Sequence, residues 1–235
     1  MAEHRNFADG CLFISRKTLD CCSSGCLPCC YKAFPFGHSE LPPNTRPELC
    51  RRARSEVGVG ERQGLYGVRD KVLVVGDGDF SFSSSIAHAV SKESVFTSHE
   101  SHKTLVNVYP NVQNTLDKLN AQHDGRVLHE VDATALASEK LLDAHTGMQG
   151  FDAVVWNFPC VRMPAGKDGQ AEELEINQRL CRQFFLNVVP YLKVGSGEVH
   201  LTHKISEPFS WWDIEALAKE ADLVCTGRLV FDKYL

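Results

Sequence analysis

A chain of 235 residues with 43% hydrophobic and 23% charged content has an ordinary globular composition, with room for one sizeable domain and an appendage. A formal net charge of -5 and a pI near 6.1 exclude a protein that coats nucleic acid by charge alone, although a local basic patch remains compatible. No apolar run reaches the length of a membrane span. The start, Met1-Ala2-Glu3-His4-Arg5-Asn6, has neither the apolar core of a secretory signal nor a glycine for myristoylation, so an intracellular, reducing location is expected.

Residues 1–69 show no sustained strand or helix period. Leu41-Pro42-Pro43-Asn44, Arg46-Pro47 and glycines at 58, 60, 64 and 67 punctuate them. A largely irregular leader and linker is expected, with at most one short helix near residues 48–54. Seven of the 10 cysteines fall here: Cys11, Cys21, Cys22, Cys26, Cys29, Cys30 and Cys50. Cys26-Leu-Pro-Cys29 has the spacing that begins a zinc site, and Cys21, Cys22, Cys30, His38 and Cys50 could add ligands. A second well-spaced pair is lacking, so no metal is expected. From Lys71 onward the pattern becomes regular. Strands are predicted over 71–76, 94–99, 126–131, 151–157, 197–203 and 223–231. Helical segments are predicted over 81–91, 102–122, 134–143, 172–192 and 211–220, the second broken or kinked by Pro110. Strands alternating with helices imply an α/β domain over 70–235, a doubly wound parallel sheet with right-handed crossovers.

The chemistry concentrates where the predicted strands end. Val72–Val75 runs into Gly76-Asp77-Gly78-Asp79-Phe80-Ser81, and a helix-like segment follows, the pattern of a nucleotide-cradling loop. Ser81 stands where the dinucleotide fingerprint has its third glycine, and Asp77 and Asp79 would repel a pyrophosphate. A ligand with a cationic end, such as S-adenosylmethionine, suits this loop better than NAD. Glu100 lies about 20 residues past the glycines, where an acid accepts bonds from ribose hydroxyls. Asp132, followed by Ala133, lies after the third strand, where an acid can receive the adenine amino group or cap the next helix. Phe151–Asn157 ends in Asn157-Phe158-Pro159-Cys160. The Asn157 amide oxygen can accept a bond from a target N–H, and Phe158 can stack on a base. Cys160 has no identifiable activating partner in the sequence and is not expected to be a nucleophile. His200 and His203 fall out of phase on one strand and should face opposite sides.

Taken together, Val75-Gly76-Asp77-Gly78-Asp79-Phe80-Ser81-Phe82-Ser83, Thr97-Ser98-His99-Glu100 through Tyr109-Pro110, Val131-Asp132-Ala133-Thr134 and Asn157-Phe158-Pro159 stand in a recognisable order. Asn177-Gln178 to Phe184-Phe185, Gly197-Glu198-Val199-His200 and Glu207-Pro208-Phe209-Ser210-Trp211-Trp212-Asp213-Ile214 continue it. The chain resembles the Rossmann-like domain of the large-subunit ribosomal RNA (uridine-N3)-methyltransferase family over about 71–234. That resemblance implies S-adenosylmethionine as cofactor, and ribosomal RNA or a pre-ribosome as partner in the nucleolus, nucleus or cytoplasm. It makes Asn157, Phe158, Pro159 and Cys160 the residues around the target base. Gly76 to Ser81, Glu100, Asp132 and Ala133 would surround the cofactor. The family usually has histidine after Asn-Phe-Pro, where Cys160 stands. Family members also continue past Tyr234 into a last antiparallel strand, seated between the fifth and sixth. The expectation is a sheet lacking that strand. A catalytically weak or inactive relative that binds RNA or protein is the alternative reading, and a nicotinamide oxidoreductase a more distant one.

Overall fold

In the computed structural model, residues 10–17, 62–63, 65–136, 150–161 and 171–230 are described. Their strands in chain order are β1 (Gly10–Lys17), β2 (Arg62–Gln63), β3 (Tyr66–Gly67), β4 (Val72–Val75), β5 (Val95–Thr97), β6 (Val127–Leu128), β7 (Ala153–Asn157), β8 (Glu198–Lys204) and β9 (Leu223–Val230). Seven form one sheet in the order β6-β5-β4-β7-β8-β1-β9, while β2 and β3 make a separate hairpin. The pairs β6/β5, β5/β4, β4/β7 and β7/β8 are parallel, and β1 runs antiparallel to both β8 and β9.

All four residues of β4 are buried, as a strand covered on both faces requires. Period-two alternation splits the core. Leu73 and Val75 share one face with Val154, Trp156, Val199 and Leu201. Val72 and Val74 share the other with Phe96, Ala153 and Val155. Helices α1 (Ser81–Ile86), α2 (His102–Val108) and α3 (Val112–Gln122) bring Leu105, Leu116 and Leu119 to the second face. Helices α4 (Ala171–Val188) and α5 (Ile214–Lys219) bring Phe184, Phe185, Val188 and Leu217 to the first. Helices on both sides of a parallel sheet are the doubly wound α/β architecture expected from the sequence. The apolar positions of α4 recur at helical spacing, so the stripe is core packing. Pro110 falls between α2 and α3, which ends the first helix and starts a new one.

Two expectations change. The leader was expected to be largely irregular; within it Gly10–Lys17 is an eight-residue strand. Its run Cys11-Leu12-Phe13-Ile14 is rich in strand-forming side chains. The sheet was expected to lack its reversed strand, and β1 occupies that place between β8 and β9. The physical reason is edge satisfaction: an unfilled gap there would leave two rows of backbone groups unpaired. The candidate zinc cysteines Cys26 and Cys29, the short helix near 48–54 and most of the helix predicted over 134–143 lie outside the described residues.

Candidate functional site

Chain order β4, β5, β6 runs outward from the centre in one direction, and β7, β8 in the other. The carboxyl ends of β4 and β7 therefore flank the switch point, where ligands of open α/β sheets bind. The Gly76–Ser81 turn leaves β4 here. Gly76 sits at φ +65°, and a Cβ on it would lie 2.6 Å from Nε1 of Trp156, so both backbone and space demand glycine. Gly78 differs: a Cβ there would meet the Tyr109 hydroxyl at 3.4 Å and no other atom within 4 Å. The turn is tied to β5 by the Asp77 N–H donating to the Thr97 carbonyl at 3.0 Å.

The acids of the turn are not equivalent. Asp77 Oδ2 accepts bonds from the Ser83 N–H at 2.8 Å and the Ser83 hydroxyl at 2.6 Å. It thus satisfies an otherwise orphaned amide in the first turn of α1. Burial pushes the Asp77 carboxyl above the usual carboxylate range, and the Ser83 bonds offset this only in part. Asp79 is half-buried, and its Oδ1 accepts a bond from the Ser81 N–H at 3.0 Å. Phe80 takes φ 58° and is fully buried, so its ring belongs to the core and only its backbone faces the turn.

Beside this turn stand the ends of β5 and β6. The Glu130 N–H donates to the Glu100 carbonyl at 3.3 Å and the Val131 N–H to the Ser98 carbonyl at 3.1 Å. Glu100 is half-buried. Asp132 Oδ1 accepts from the N–H and hydroxyl of Thr134 at 2.8 and 2.7 Å, a local cap; Ala133 is buried. His129 packs edge-on between Phe80, at 5.7 Å, and His102, at 5.4 Å. Burial and the neighbouring His102 hold the His129 imidazolium below its usual range.

The second loop leaves β7. Asn157 Oδ1 accepts a bond from the Thr202 hydroxyl of β8 at 2.7 Å, which fixes the amide plane. The Phe158 N–H donates to the Thr202 carbonyl at 2.9 Å, so one residue of β8 grips two neighbours in the loop. Phe158 takes φ 52° and is 42% exposed, an aromatic ring turned outward at a strand end. Pro159 is buried and Cys160 exposed, the Cys160 thiol donating to the Val161 carbonyl at 3.4 Å. Asn177 of α4, wholly buried, accepts from the Val161 N–H at 2.8 Å and donates to the Glu173 carbonyl at 2.9 Å. Its neighbour Gln178 donates to the carbonyls of Trp211 and Trp212. The histidines of β8 part as expected. His200 contacts Tyr66 on one face, and His203 stacks on Trp212 on the other.

The switch-point edge thus unites the glycine turn, Glu100, Asp132 and Asn157–Cys160. Sequence reasoning did not single out Thr202, Trp156 or Tyr109 as site neighbours. Asn177 and Tyr109 were present in the quoted motifs without an assigned role, and Thr202 carried no local signal. Among the described residues no group of three or more His, Cys, Asp or Glu side chains could hold a metal, and no helix is long and apolar enough to cross a membrane.

A parallel sheet wound both ways from its first strand, with one reversed strand before its last, is the arrangement of the Rossmann-like methyltransferases. The comparisons agree and narrow it. Residues 73–234 match the BMT5-like family, described as rRNA (uridine-N3-)-methyltransferase BTM5-like, and the chain belongs to that family. It is similar to heavy metal-associated isoprenylated plant protein 41 of Arabidopsis thaliana, 34% identical over 170 residues, which are 72% of this chain and 32% of that protein. The chain thus spans about a third of that relative's length. An uncharacterised Arabidopsis thaliana protein is 31% identical over 170 residues, 71% of this chain and 78% of its own.

Proposed function

We propose that this protein transfers a methyl group from S-adenosylmethionine to N3 of a uridine in large-subunit ribosomal RNA, in the nucleolus, nucleus or cytoplasm. The observation that carries the reading is Asn157 beside the switch point, its amide held by the Thr202 hydroxyl and followed by the outward ring of Phe158. S-adenosylmethionine, when bound, supplies the electrophilic methyl group. The turn fits such a ligand. Gly78 leaves open space beside the backbone, the Asp79 carboxylate favours a cationic group over a pyrophosphate, and Glu100, half-buried past the end of β5 on the same edge, is the acid for the ribose hydroxyls. Asp132 is the group for the adenine amine. The amide oxygen of Asn157 keeps a second lone pair beside the Thr202 bond, enough to accept the target N–H and orient its nitrogen. Phe158 stacks on the base. The thiol of Cys160 replaces the histidine expected from the family. A thiol is a weak hydrogen-bond partner, and this favours slow turnover as the second reading, with the chain acting as an RNA- or protein-binding module.

The test is tritium transfer from labelled cofactor into ribosomal RNA with a uridine-resolved readout, beside calorimetric titration of the cofactor. Asn157→Ala should lower methyl transfer about 10-fold to 100-fold with cofactor affinity little changed. Cys160→Ala should cost little, and Cys160→His should raise activity. Cofactor binding without transfer to any RNA would favour the binding module, and tight NAD binding with no response to S-adenosylmethionine would overturn both.

A further inference from the structure

We infer that the channel between β8 and β9 is a strand-acceptor site, filled in cis by Gly10–Lys17, and that its occupancy sets the rigidity of the Asn157–Phe158 loop. The inference concerns binding of a peptide segment and stands whether or not the proposed reaction is correct.

The geometry begins with sheet order. Among the described residues β9 has one neighbour in the sheet, β1, through which it joins the other strands. Strand β1 pairs along its length on both sides. Gly10 to Arg16 face Lys204 to Glu198 of β8, and Cys11 to Lys17 face Val230 to Leu223 of β9, with a bulge between Ile14 and Ser15. An interior strand paired on both sides commits every backbone donor and acceptor, so its removal would leave β8 and β9 with unpaired edges. Strand β1 also lies outside the stretch that matches the family, residues 73–234, while both of its partners lie inside it. The domain thus carries the channel, and a distant segment of the same chain fills it. Forty-four residues, 18–61, separate β1 from β2.

The end of β1 that reaches the site matters most. Gly10, Cys11 and Leu12 lie opposite Lys204, His203 and Thr202. Thr202 is the residue whose hydroxyl holds Asn157 and whose carbonyl holds the Phe158 N–H. With β1 seated, Thr202 lies on a strand paired on both sides; without it, Thr202 lies on an edge strand held from one side by β7. Docking of β1 therefore stiffens the Asn157–Phe158 loop through one residue.

Three measurements on the full chain test this. Ser15 lies opposite Cys225, so Ser15→Cys places two thiols on adjacent strands with one substitution. Neighbouring strand positions fall within disulfide range. Mild oxidation followed by peptide mapping should give a link from position 15 to Cys225 within one chain. No such link, or one only between two chains, overturns the cis assignment. Phe13→Pro removes a ladder donor in the middle of β1. Amide exchange at Leu223–Val230 and Leu201–Lys204 should then speed up at least about 10-fold, with Val72–Val75 unchanged. Unchanged exchange in β9 overturns the inference. If the variant opens globally, a synthetic peptide of residues 10–17 decides: millimolar peptide should restore protection in β8 and β9, and failure to do so overturns the acceptor site.

Discussion

The loops after β4 and β7 leave neighbouring strands at the same edge of the sheet, yet they are held differently. The β4 loop is anchored chiefly by nearby residues: a glycine at φ +65°, Asp77 bonded to Ser83 and Asp79 bonded to Ser81. The β7 loop is anchored from far away in the chain, by Thr202 of β8 and Asn177 of α4, and it turns Phe158 and Cys160 outward. A loop built from its own residues can be preformed for a cofactor. A loop held by remote elements can respond to what happens at those elements. The comparison teaches that the two halves of this site should fail in different ways when disturbed, and substitutions can separate those failures.

The largest expected effect lies under the β4 loop. Gly76→Val places a branched side chain in the left-handed region and drives its Cβ into Trp156. Such strain together with overpacking should cost about 3–5 kcal/mol, read as a loss of the cooperative unfolding transition or a large fall in its midpoint. Gly78→Val, two residues on and outside the left-handed region, should leave the midpoint within about 1 kcal/mol of the parent. It should still abolish cofactor binding, because the side chain fills space the ligand needs. A Gly78→Val protein that binds S-adenosylmethionine normally would move the cofactor away from this turn.

Next comes the remote anchor of the β7 loop. Asn177→Ala removes the side-chain acceptor of the half-buried Val161 N–H, a cost of about 1–3 kcal/mol in chemical denaturation. Cofactor affinity should hold while methyl transfer falls, since only the β7 loop has lost its anchor. Equal losses in both would show that the two loops are one rigid unit. Thr202→Val is gentler: it keeps the shape and removes the hydroxyl that holds Asn157. Transfer should fall about 10-fold through kcat, with stability and cofactor affinity near the parent. An unchanged kcat would mean that Asn157 needs no help to aim.

The same contrast explains what could be read from the sequence. Strands β4 to β9, the described helices between them, the break at Pro110 and the core stripe of α4 all follow from local periodicity and propensity. The glycine turn was legible for the same reason. Asp77 was read as a charge facing a ligand, whereas its carboxylate turns inward to Ser83, a choice decided by α1's need for a cap. Strand β1 carried its own signal in Cys11-Leu12-Phe13-Ile14, but a single short apolar run does not say which edges it will join. Thr202 was invisible because a threonine in a strand is unremarkable until the register brings it to Asn157. Pairings across tens of residues are set by which backbone groups would otherwise go unpaired, and no local window holds that information.

The smallest effect separates the β8 end from acid. His203 is buried, its ring stacked on Trp212 at 4.5 Å and its Nε2 bonded to the Phe209 carbonyl at 3.0 Å. Nε2–H is the donor, since a carbonyl only accepts, and this assigns the neutral tautomer. Burial holds the imidazolium below its usual range, the Phe209 bond opposes this and the cationic Lys204 adds to it. Because the folded state binds the proton less readily than the unfolded chain, His203 subtracts nothing at neutral pH. It costs stability as pH falls below the unfolded value of about 6.5. One such proton contributes at most about 1.4 kcal/mol per pH unit. His129 has the same sign, so acid loss is shared between the β6 and β8 ends of the edge. His203→Gln keeps an N–H for the Phe209 carbonyl and removes the titration. Thermal unfolding at pH 7.5 and 5.5 should show a smaller acid-induced drop in Tm for His203→Gln than for the parent. An undiminished drop would assign the acid sensitivity to His129 and the β6 end instead.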